Sequence, residues 1–398
     1  MLTPARFQLL LQLPAPLLTA YVSTKPTGRY QHRLTPEYLI WLDKEAKAIA
    51  LTLPPSEKEL FQEQLERTKN YLHTWKPEEK GLVVFSGAGA WRLVPLRVEV
   101  ENEVRWGRPA LTQYLRLLSE NKPCGIVVVD RTGARFLRYR LGELSESAKK
   151  QFRVDISQWK KPEVGHFSRA GGTTGGTRRT RGTQRDVFAH RMDARYGRLF
   201  SATAKQAMDL CAREGLAALF LVGSERLLEP IKESFPQEFR SRVVSIPEDL
   251  SGLSGSELQQ RLEPRLTAWS LQQGSALVTS LLADEAATVV GFDQTLAHLQ
   301  KGKIRALVLT RDLDAILHHC VVCNWMDRSG DPRCPVCGGK RTAVTLRDVL
   351  PGLAHSHKVG VEVVSGAAAE RLQAEGGMGA WLRQPKQTRL RQPARRAS

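Results

Sequence analysis

The spacing of four cysteines restricts the fold of this chain more than any other sequence feature. Residues 320–339 read "CVVCNWMDRSGDPRCPVCGG", and the C-x2-C-x10-C-x2-C pattern is formed by Cys320, Cys323, Cys334 and Cys337. Two C-x-x-C turns can place four thiolates tetrahedrally around one Zn2+, and Gly338 and Gly339 fit the tight turn after the second pair. The pattern predicts a zinc knuckle over residues 318–340. Because cysteine fills every coordination position, we expect one structural zinc; a redox dithiol or two disulfides are the alternatives.

The charge balance of the chain indicates a polyanionic partner. Its 398 residues include 59 Lys and Arg against 41 Asp and Glu, a formal net charge of +18. Such an excess favours nucleic acid first and an anionic membrane second. No apolar run approaches the roughly 20 residues of a spanning helix, so we expect no membrane partner. The first 20 residues, with prolines at 14 and 16, do not match a signal peptide, so we expect a cytoplasmic protein with reduced thiols.

The order of apolar patterns predicts three domains of α/β and α+β class. Residues 1–118 mix helical and strand patterns, and residues 105–123, "RWGRPALTQYLRLLSENKP", are predicted as a helix leading to the first boundary. In residues 119–271, buried strands alternate with helices after an initial hairpin whose second strand is "RFLRYRLGEL". Residues 272–383 form a third α/β domain that contains the zinc knuckle. Residues 384–398 have five basic residues and no acid, which predicts a disordered tail.

A glycine- and arginine-rich loop lies in the predicted middle domain. Residues 169–185 read "RAGGTTGGTRRTRGTQR" and contain no acid. Glycines let main-chain N–H groups approach a phosphodiester backbone, while guanidinium groups bind the phosphates. The candidate RNA contacts in this loop are Arg169, Arg178, Arg179, Arg181 and Arg185. A flexible surface linker is the alternative.

The helix predicted at about Asp186–Glu214 extends this basic character. Arg191, Arg195 and Arg198 follow i, i+4, i+7 spacing and so lie on one face of the helix. We include them among the candidate RNA contacts, with simple solvation as the alternative.

Four groups of segments together resemble a known superfamily, that of the archaeal and eukaryotic class-one release factor and Pelota, specifically its bacterial branch. They read "VVVDRTGARFLRYRLGEL", "QRDVFAHRMDARYGRLFSATAKQAMDLCAREG", "LFLVGSERLLEPIKESFP" and "LAHLQKGKIRALVLTRDL…VGVEVVS…GGMGAWLR". The resemblance covers roughly residues 18–383. It implies an RNase-H-like middle domain whose loop enters the peptidyl-transferase centre in catalytic members. It also implies a third domain that resembles ribosomal proteins binding kinked RNA and that contacts a translational GTPase or the stalk base.

The chain departs from the catalytic pattern of that superfamily. Catalytic release factors carry Gly-Gly-Gln at the loop tip, whereas this chain has Gly175-Gly176-Thr177. The nearest glutamine is Gln184 in "RGTQ", where Thr183 would replace the second glycine. The candidate catalytic residues are Gly175, Gly176, Thr177 and Gln184, and neither segment matches the Gly-Gly-Gln motif. Residues 1–118 also lack the Asn-Ile-Lys-Ser motif by which codon-reading members recognise stop codons.

A factor that enters the A site without reading codons or releasing peptide resembles the bacterial hibernation factor Balon and its relatives. We therefore expect a monomeric, ribosome-binding protein that contacts rRNA and also tRNA, with a translational GTPase such as elongation factor Tu as a further partner. Two alternatives stay open. One is a rescue hydrolase that releases peptide or cleaves tRNA on stalled ribosomes, so the chain's status as an enzyme is undecided. The other is an RNA-binding adaptor that acts away from the ribosome.

Overall fold

The computed structural model describes residues 4–25, 35–152 and 181–383. Internal contacts divide the chain into two compact units. Unit 1 combines Met1–Asn121 with Arg265–Ser398, and unit 2 is Lys122–Pro264. Among the described residues, none of the helices has the length and apolar character needed to cross a membrane.

The N-terminal part of unit 1 is a four-stranded antiparallel sheet covered by helices. Its elements are α1 (Pro4–Leu11), β1 (Leu17–Ser23), α2 (Glu37–Thr52), α3 (Pro55–Thr74), β2 (Gly81–Gly87), β3 (Ala90–Leu96), β4 (Glu103–Gly107) and α4 (Thr112–Glu120). The strand order is β3-β2-β1-β4. Apolar residues of α2 and α3, such as Leu42 and Phe61, pack against alternate residues of β1 and β2. The sequence therefore forms an α+β layer in which β1 lies inside the sheet and is buried from Leu17 to Val22.

The prediction of a helix over residues 105–123 is wrong for the residues before Thr112. Glu103–Gly107 is strand β4, which pairs with β1 with Trp106 opposite Leu18, and the helix begins only at Thr112. Gly107 has φ +124°, a backbone conformation that L side chains rarely adopt, and Pro109 follows. These two residues end the strand and separate it from α4.

Unit 2 is a five-stranded mixed sheet with helices packed on it. Its elements are β5 (Cys124–Val129), β6 (Gly133–Arg140), β7 (Glu143–Gln151), α5 (Arg181–Glu214), β8 (Ala218–Gly223), α6 (Glu225–Glu233), α7 (Gln237–Arg240), β9 (Val243–Ile246) and the first part of α8 (Gly255–Ala283). The strand order is β7-β6-β5-β8-β9; β5 pairs with β8, and β8 with β9, in parallel. Apolar residues of α5 and α6 form the core with β5 and β8.

Two turns shape the hairpin that opens unit 2. One oxygen of Asp130 accepts hydrogen bonds from the backbone N–H of Thr132 and Gly133 at 2.6 and 2.7 Å. A Cβ at Gly133 would lie 2.4 Å from a backbone oxygen of β7, so only glycine fits there. The single strand predicted as "RFLRYRLGEL" is instead two strands, because Leu141 and Gly142 both have positive φ and form a two-residue turn.

The C-terminal part of unit 1 holds a second mixed sheet and a small separate sheet. Its elements are the rest of α8, β10 (Thr288–Val290), α9 (Phe292–Gln300), β11 (Ile304–Thr310), β12 (Ile316–Cys320), β13 (Met326–Asp327), β14 (Arg341–Thr345), α10 (Leu346–Ser356), β15 (Gly360–Val364), α11 (Ala367–Ala374) and β16 (Met378–Leu382). The main sheet has the order β10-β16-β11-β15, and the small sheet has the order β13-β12-β14. Leu307 and Leu309 of β11 face α9 and α10, whereas Val308 faces α8 and α11.

Helix α8 runs across residue 271, where the sequence predicts a domain boundary. The contact-based division into units falls within the same helix, after Pro264. The three-domain division with boundaries at 118, 271 and 383 stays a prediction.

Helix α4 attaches the two parts of unit 1 to each other. The Ser119 hydroxyl accepts a hydrogen bond from the N–H of Val363 on edge strand β15 at 2.7 Å. Glu101 accepts hydrogen bonds from Arg116 at 3.0 Å and from Arg311 at 2.7 Å. Burial alone would raise the pKa of Glu101, but the two guanidinium groups outweigh it and lower that pKa. The carboxylate therefore stays charged between its two partners.

Candidate metal centre

The structure brings the four predicted cysteines together in a single cluster. Their Sγ atoms all lie within 4.8 Å of one another. The separation is 3.5 Å both between Cys320 and Cys337 and between Cys323 and Cys334. Zn–S distances of about 2.3 Å require sulfur atoms about 3.8 Å apart in a tetrahedral site, whereas a disulfide requires about 2.05 Å. All four thiols are free, and their spacing fits one bound metal ion.

The two C-x-x-C turns have the same internal hydrogen bonds. The backbone N–H of Val322 donates to the Sγ of Cys320, and that of Val336 donates to the Sγ of Cys334, both at 3.4 Å. Backbone hydrogen bonding, chiefly at Cys323, lowers the pKa of the Cys320 thiol to about 6. A thiolate is the form that binds metals, so these backbone hydrogen bonds favour the metal-binding form of Cys320.

Left-handed residues close both turns. Asn324 follows the first pair with φ +59°, and Gly338 follows the second pair with φ +73°. Their N–H groups donate to the carbonyl oxygens of Cys320 and Cys334 at 3.0 and 2.8 Å. A Cβ at Gly339 would lie 2.8 Å from a methyl carbon of Val322 and 3.1 Å from the Sγ of Cys320. The Gly-Gly pair thus has two different roles, backbone conformation at Gly338 and close approach to the cluster at Gly339.

Arg341 holds the segment between the two turns in place. Its side chain is only 1% exposed. It donates to the carbonyl oxygen of His318 at 2.9 Å, to the hydroxyl of Ser329 at 2.9 Å and to the carboxylate of Asp327. Burial would raise the pKa of Asp327, but the hydrogen bond from Arg341 and those at Ser329 lower it. One cation therefore ties β12, β13 and β14 together beside the cysteines.

The insertion is also joined to the main core of unit 1. The side-chain amide of Gln300, at the end of α9, both donates to the carbonyl oxygen of Met326 at 2.8 Å and accepts from its N–H at 2.7 Å. The side chains of Met326 and Leu317 are buried in the same core as α9 and α10. The insertion that carries the cysteine cluster is therefore anchored to the hydrophobic core formed with α9 and α10.

Replacing Arg341 by alanine should destabilise the insertion formed by β12, β13 and β14 by about 3 kcal/mol, the usual cost of removing one partner from a buried ion pair. The carboxylate of Asp327 and the carbonyl oxygen of His318 would lose their shared donor. Chemical denaturation, followed together with the metal content of the protein, measures the effect. Arg333→Ala is the control, since Arg333 is exposed and forms no ion pair among the described residues. Equal stability of the two variants would contradict the role given to Arg341.

The other candidate residues from the sequence analysis are not brought together into a site among the residues that the structure describes. Histidine is not part of the cluster; His319 instead pairs through Nε2 with the side-chain oxygen of Asn324 at 3.1 Å. The loop candidates outside the described residues are Arg169, Gly175, Gly176, Thr177, Arg178 and Arg179. The candidates that lie on helix α5 are Arg181, Gln184, Arg185, Arg191, Arg195 and Arg198. The helix begins at Arg181 rather than near Asp186, so the "RGTQ" segment has helical backbone.

Residues 109–263 match the family model described as bacterial archaeo-eukaryotic release factor family 10. The match runs from the residues before α4 through nearly all of unit 2. No curated protein sequence matches the chain.

Several solved structures are similar to most of the chain at low identity. The archaeal translation termination factor aRF1 is 15% identical, with 96% of each chain covered and a TM-score of 0.24. Pelota of Archaeoglobus fulgidus is 15% identical, with 76% of this chain and 80% of that chain covered and a TM-score of 0.33. Archaeal Pelota from a model of the ribosome-bound protein with ABCE1 is 12% identical, with 96% and 94% covered and a TM-score of 0.39. All three TM-scores lie below 0.5, so the assignment depends on the family match. The family match therefore relates residues 109–263, less than half of the chain, to the bacterial branch of the archaeal and eukaryotic release factors.

Proposed function

We propose that this protein binds the A site of the bacterial ribosome without reading codons or releasing peptide, in ribosome hibernation or in the handling of stalled ribosomes. The observation that carries the proposal is the family match of residues 109–263. The net charge of +18 supports an RNA-rich partner. Among the similar structures, one Pelota is described as ribosome-bound, and yeast Dom34 is described as a translation termination-like factor that interacts with Hbs1. By analogy, a translational GTPase such as elongation factor Tu is the further partner.

In this proposal the arginine-rich loop and the start of α5 contact ribosomal or transfer RNA. The arginines of the loop have no acidic neighbour in residues 169–185, which leaves their charge available to phosphates. The departure from Gly-Gly-Gln at Thr177 supports a role in binding rather than in hydrolysis.

The cysteine cluster, in the same proposal, holds one structural zinc. Four sulfur ligands at near-tetrahedral spacing favour Zn2+ over the harder divalent ions, which prefer oxygen. The zinc would stabilise the insertion that joins β12 to β14, and it would leave no open coordination position for chemistry.

Sedimentation with purified ribosomes across a salt series tests the ribosome proposal. Binding should weaken by about 0.7 log unit per log unit of salt for each phosphate neutralised on single-stranded RNA. Changing Arg178, Arg179 and Arg181 together to alanine should lower that slope by about 1.4 to 2.1, the value for two to three phosphates. Deleting residues 384–398 is the control and should cost less, because a disordered tail adds charge without fixed geometry. If the triple variant binds like the wild type at every salt concentration, the loop is a linker.

Ribosomes in different states separate hibernation from rescue. Preference for vacant ribosomes supports hibernation, whereas preference for ribosomes that carry peptidyl-tRNA and an empty A site supports rescue. A protein that binds neither, even at low salt, does not have the proposed function.

A further inference from the structure

The four cysteines of the cluster differ in their access to solvent. Cys320 and Cys334, which open the two C-x-x-C turns, are 0% and 4% exposed. Cys323 and Cys337, which close the turns, are exposed. A small molecule in solution can therefore reach the second cysteine of each turn but not the first.

Each exposed thiol lies beside a buried thiol of the other turn. The Sγ atoms of Cys337 and Cys320 are 3.5 Å apart, and so are those of Cys323 and Cys334. The sulfur atoms of a disulfide are about 2.05 Å apart, so each pair needs to close by about 1.5 Å. A reactive, accessible cysteine next to a second cysteine that can resolve its oxidised form is the arrangement found at redox-sensitive sites.

Backbone contacts hold the two buried thiols in position. The N–H groups of Val322 and Val336 donate to the Sγ atoms of Cys320 and Cys334, both at 3.4 Å. Gly339 lies so close to the cluster that a Cβ there would be 3.1 Å from the Sγ of Cys320. The buried thiol of each pair is therefore already in place when the exposed thiol reacts.

We infer that the cysteine cluster is an oxidation site for peroxides, at which each exposed thiol reacts and then forms a disulfide with the buried thiol of the other turn. In the first step, the exposed thiol and hydrogen peroxide give a sulfenic acid and water. In the second step, the sulfur of the buried thiol displaces the hydroxyl of the sulfenic acid, which leaves with the thiol proton as a second water. Each disulfide thus takes two electrons from two sulfur atoms and reduces one peroxide.

Oxidation and metal binding exclude each other at this site. A metal needs thiolate ligands, and a disulfide offers none. Oxidation of both pairs would therefore release the metal and leave the two turns joined by covalent bonds, and a thiol reductant would reverse the change. The release of metal rests on the zinc of the proposed function, whereas the disulfides do not.

Disulfide mapping after treatment with hydrogen peroxide tests the pairing. Free thiols are blocked with N-ethylmaleimide, and the chain is cut with trypsin, which separates the two turns by cleaving after Arg328 and Arg333. Disulfides across the turns should keep the two peptides joined, and fragmentation should show the two pairs that lie 3.5 Å apart. Peptides that separate, each with a disulfide inside its own C-x-x-C turn, would overturn the inference, as would the other pairing across the turns.

Cys124 and Cys211 are matched controls within the same chain. Both are buried in unit 2, and burial raises the pKa of Cys124 to about 12 and that of Cys211 to about 11. Because the thiolate is the reactive form, these two residues should lose their free thiols at least about tenfold more slowly than the cluster does. Equal rates, or a cluster that stays reduced, would contradict the inference.

Metal release, followed with a chromophoric zinc chelator, is the second measurement. Zinc should appear in step with the disulfides, at about two peroxides per ion, and dithiothreitol with added zinc should restore about one ion per chain. Zinc release without disulfides across the turns overturns the inference but leaves the proposed zinc site intact. Disulfides across the turns in a chain without zinc support the inference and contradict that zinc site. Neither measurement involves ribosomes, so the result is independent of the proposed ribosome binding.

Discussion

Replacing Cys334 by serine is expected to lower the zinc content from about one ion per chain to nearly none. Cys334 is a buried member of the cluster, with its Sγ 3.5 Å from that of Cys323, and a hydroxyl is a poor substitute for a thiolate. Zinc binding to small four-ligand sites has an apparent free energy of about 10–16 kcal/mol, and that energy is folding energy for the segment around it. Elemental analysis measures the metal, and hydrogen exchange should show faster exchange in residues 318–340.

Loss of the metal should leave unit 2 folded, because its core does not include the insertion. Cys211→Ala provides the opposite control. Cys211 is buried in the core of unit 2, so its truncation should destabilise that unit while the zinc content stays at about one ion per chain. A metal-free wild-type preparation with unchanged thermal unfolding would exclude a structural metal.

Peptide release from ribosomes loaded with peptidyl-tRNA should stay at background, with or without a stop codon in the A site. Hydrolysis needs a water molecule held in line with the ester carbonyl, and an error of about 1 Å can cost on the order of a hundredfold in rate. Thr177 is shorter than glutamine and β-branched, so it cannot reach the same point from the same backbone. Gln184 has the required side chain, but its backbone is helical within α5. Single-turnover release assays, with a Gly-Gly-Gln release factor as the positive control, measure the rate.

Point variants identify the source of any residual activity. Release that disappears on Gln184→Ala would show that the "RGTQ" segment works as a catalytic motif and would favour the rescue hydrolase. Release that disappears only on Thr177→Ala would assign activity to the Gly-Gly-Thr tip. Binding without release, in the wild type and in both variants, is the result that the proposed function requires.

The metal cluster was predictable because its information is local. The spacing of the cysteines and the Gly-Gly pair define both turns within a few residues of each ligand. The support from Arg341 was not predictable, since its partners His318 and Asp327 lie 23 and 14 residues away and any basic residue on a strand has the same appearance in the sequence. The contact between Gln300 and Met326 was not predictable from the sequence either, because it depends on how α9 packs.

Helix and strand predictions failed where a distant partner decides the structure. Residues 103–107 have no strong alternation of their own and become β4 because β1, more than 80 residues earlier, offers a free edge. The extra strand β7 depends in the same way on pairing with β6 after the turn at Leu141 and Gly142. Strands β5 and β8 were recognised from the sequence, because a strand that is buried on both faces is apolar at nearly every position.

Unit 1 is formed by two segments that lie on either side of unit 2 in the sequence, and this arrangement affects the order in which the parts can fold during synthesis. Unit 2 is one continuous segment, so its sheet can be completed before the C-terminal residues leave the exit tunnel. Ser119 on α4, in contrast, binds an N–H on β15 that is 244 residues further along the chain. The nascent chain therefore passes through a stage in which unit 2 has folded while α4 still lacks its partner strand. During that interval the side of α4 that binds β15 has no strand to cover it.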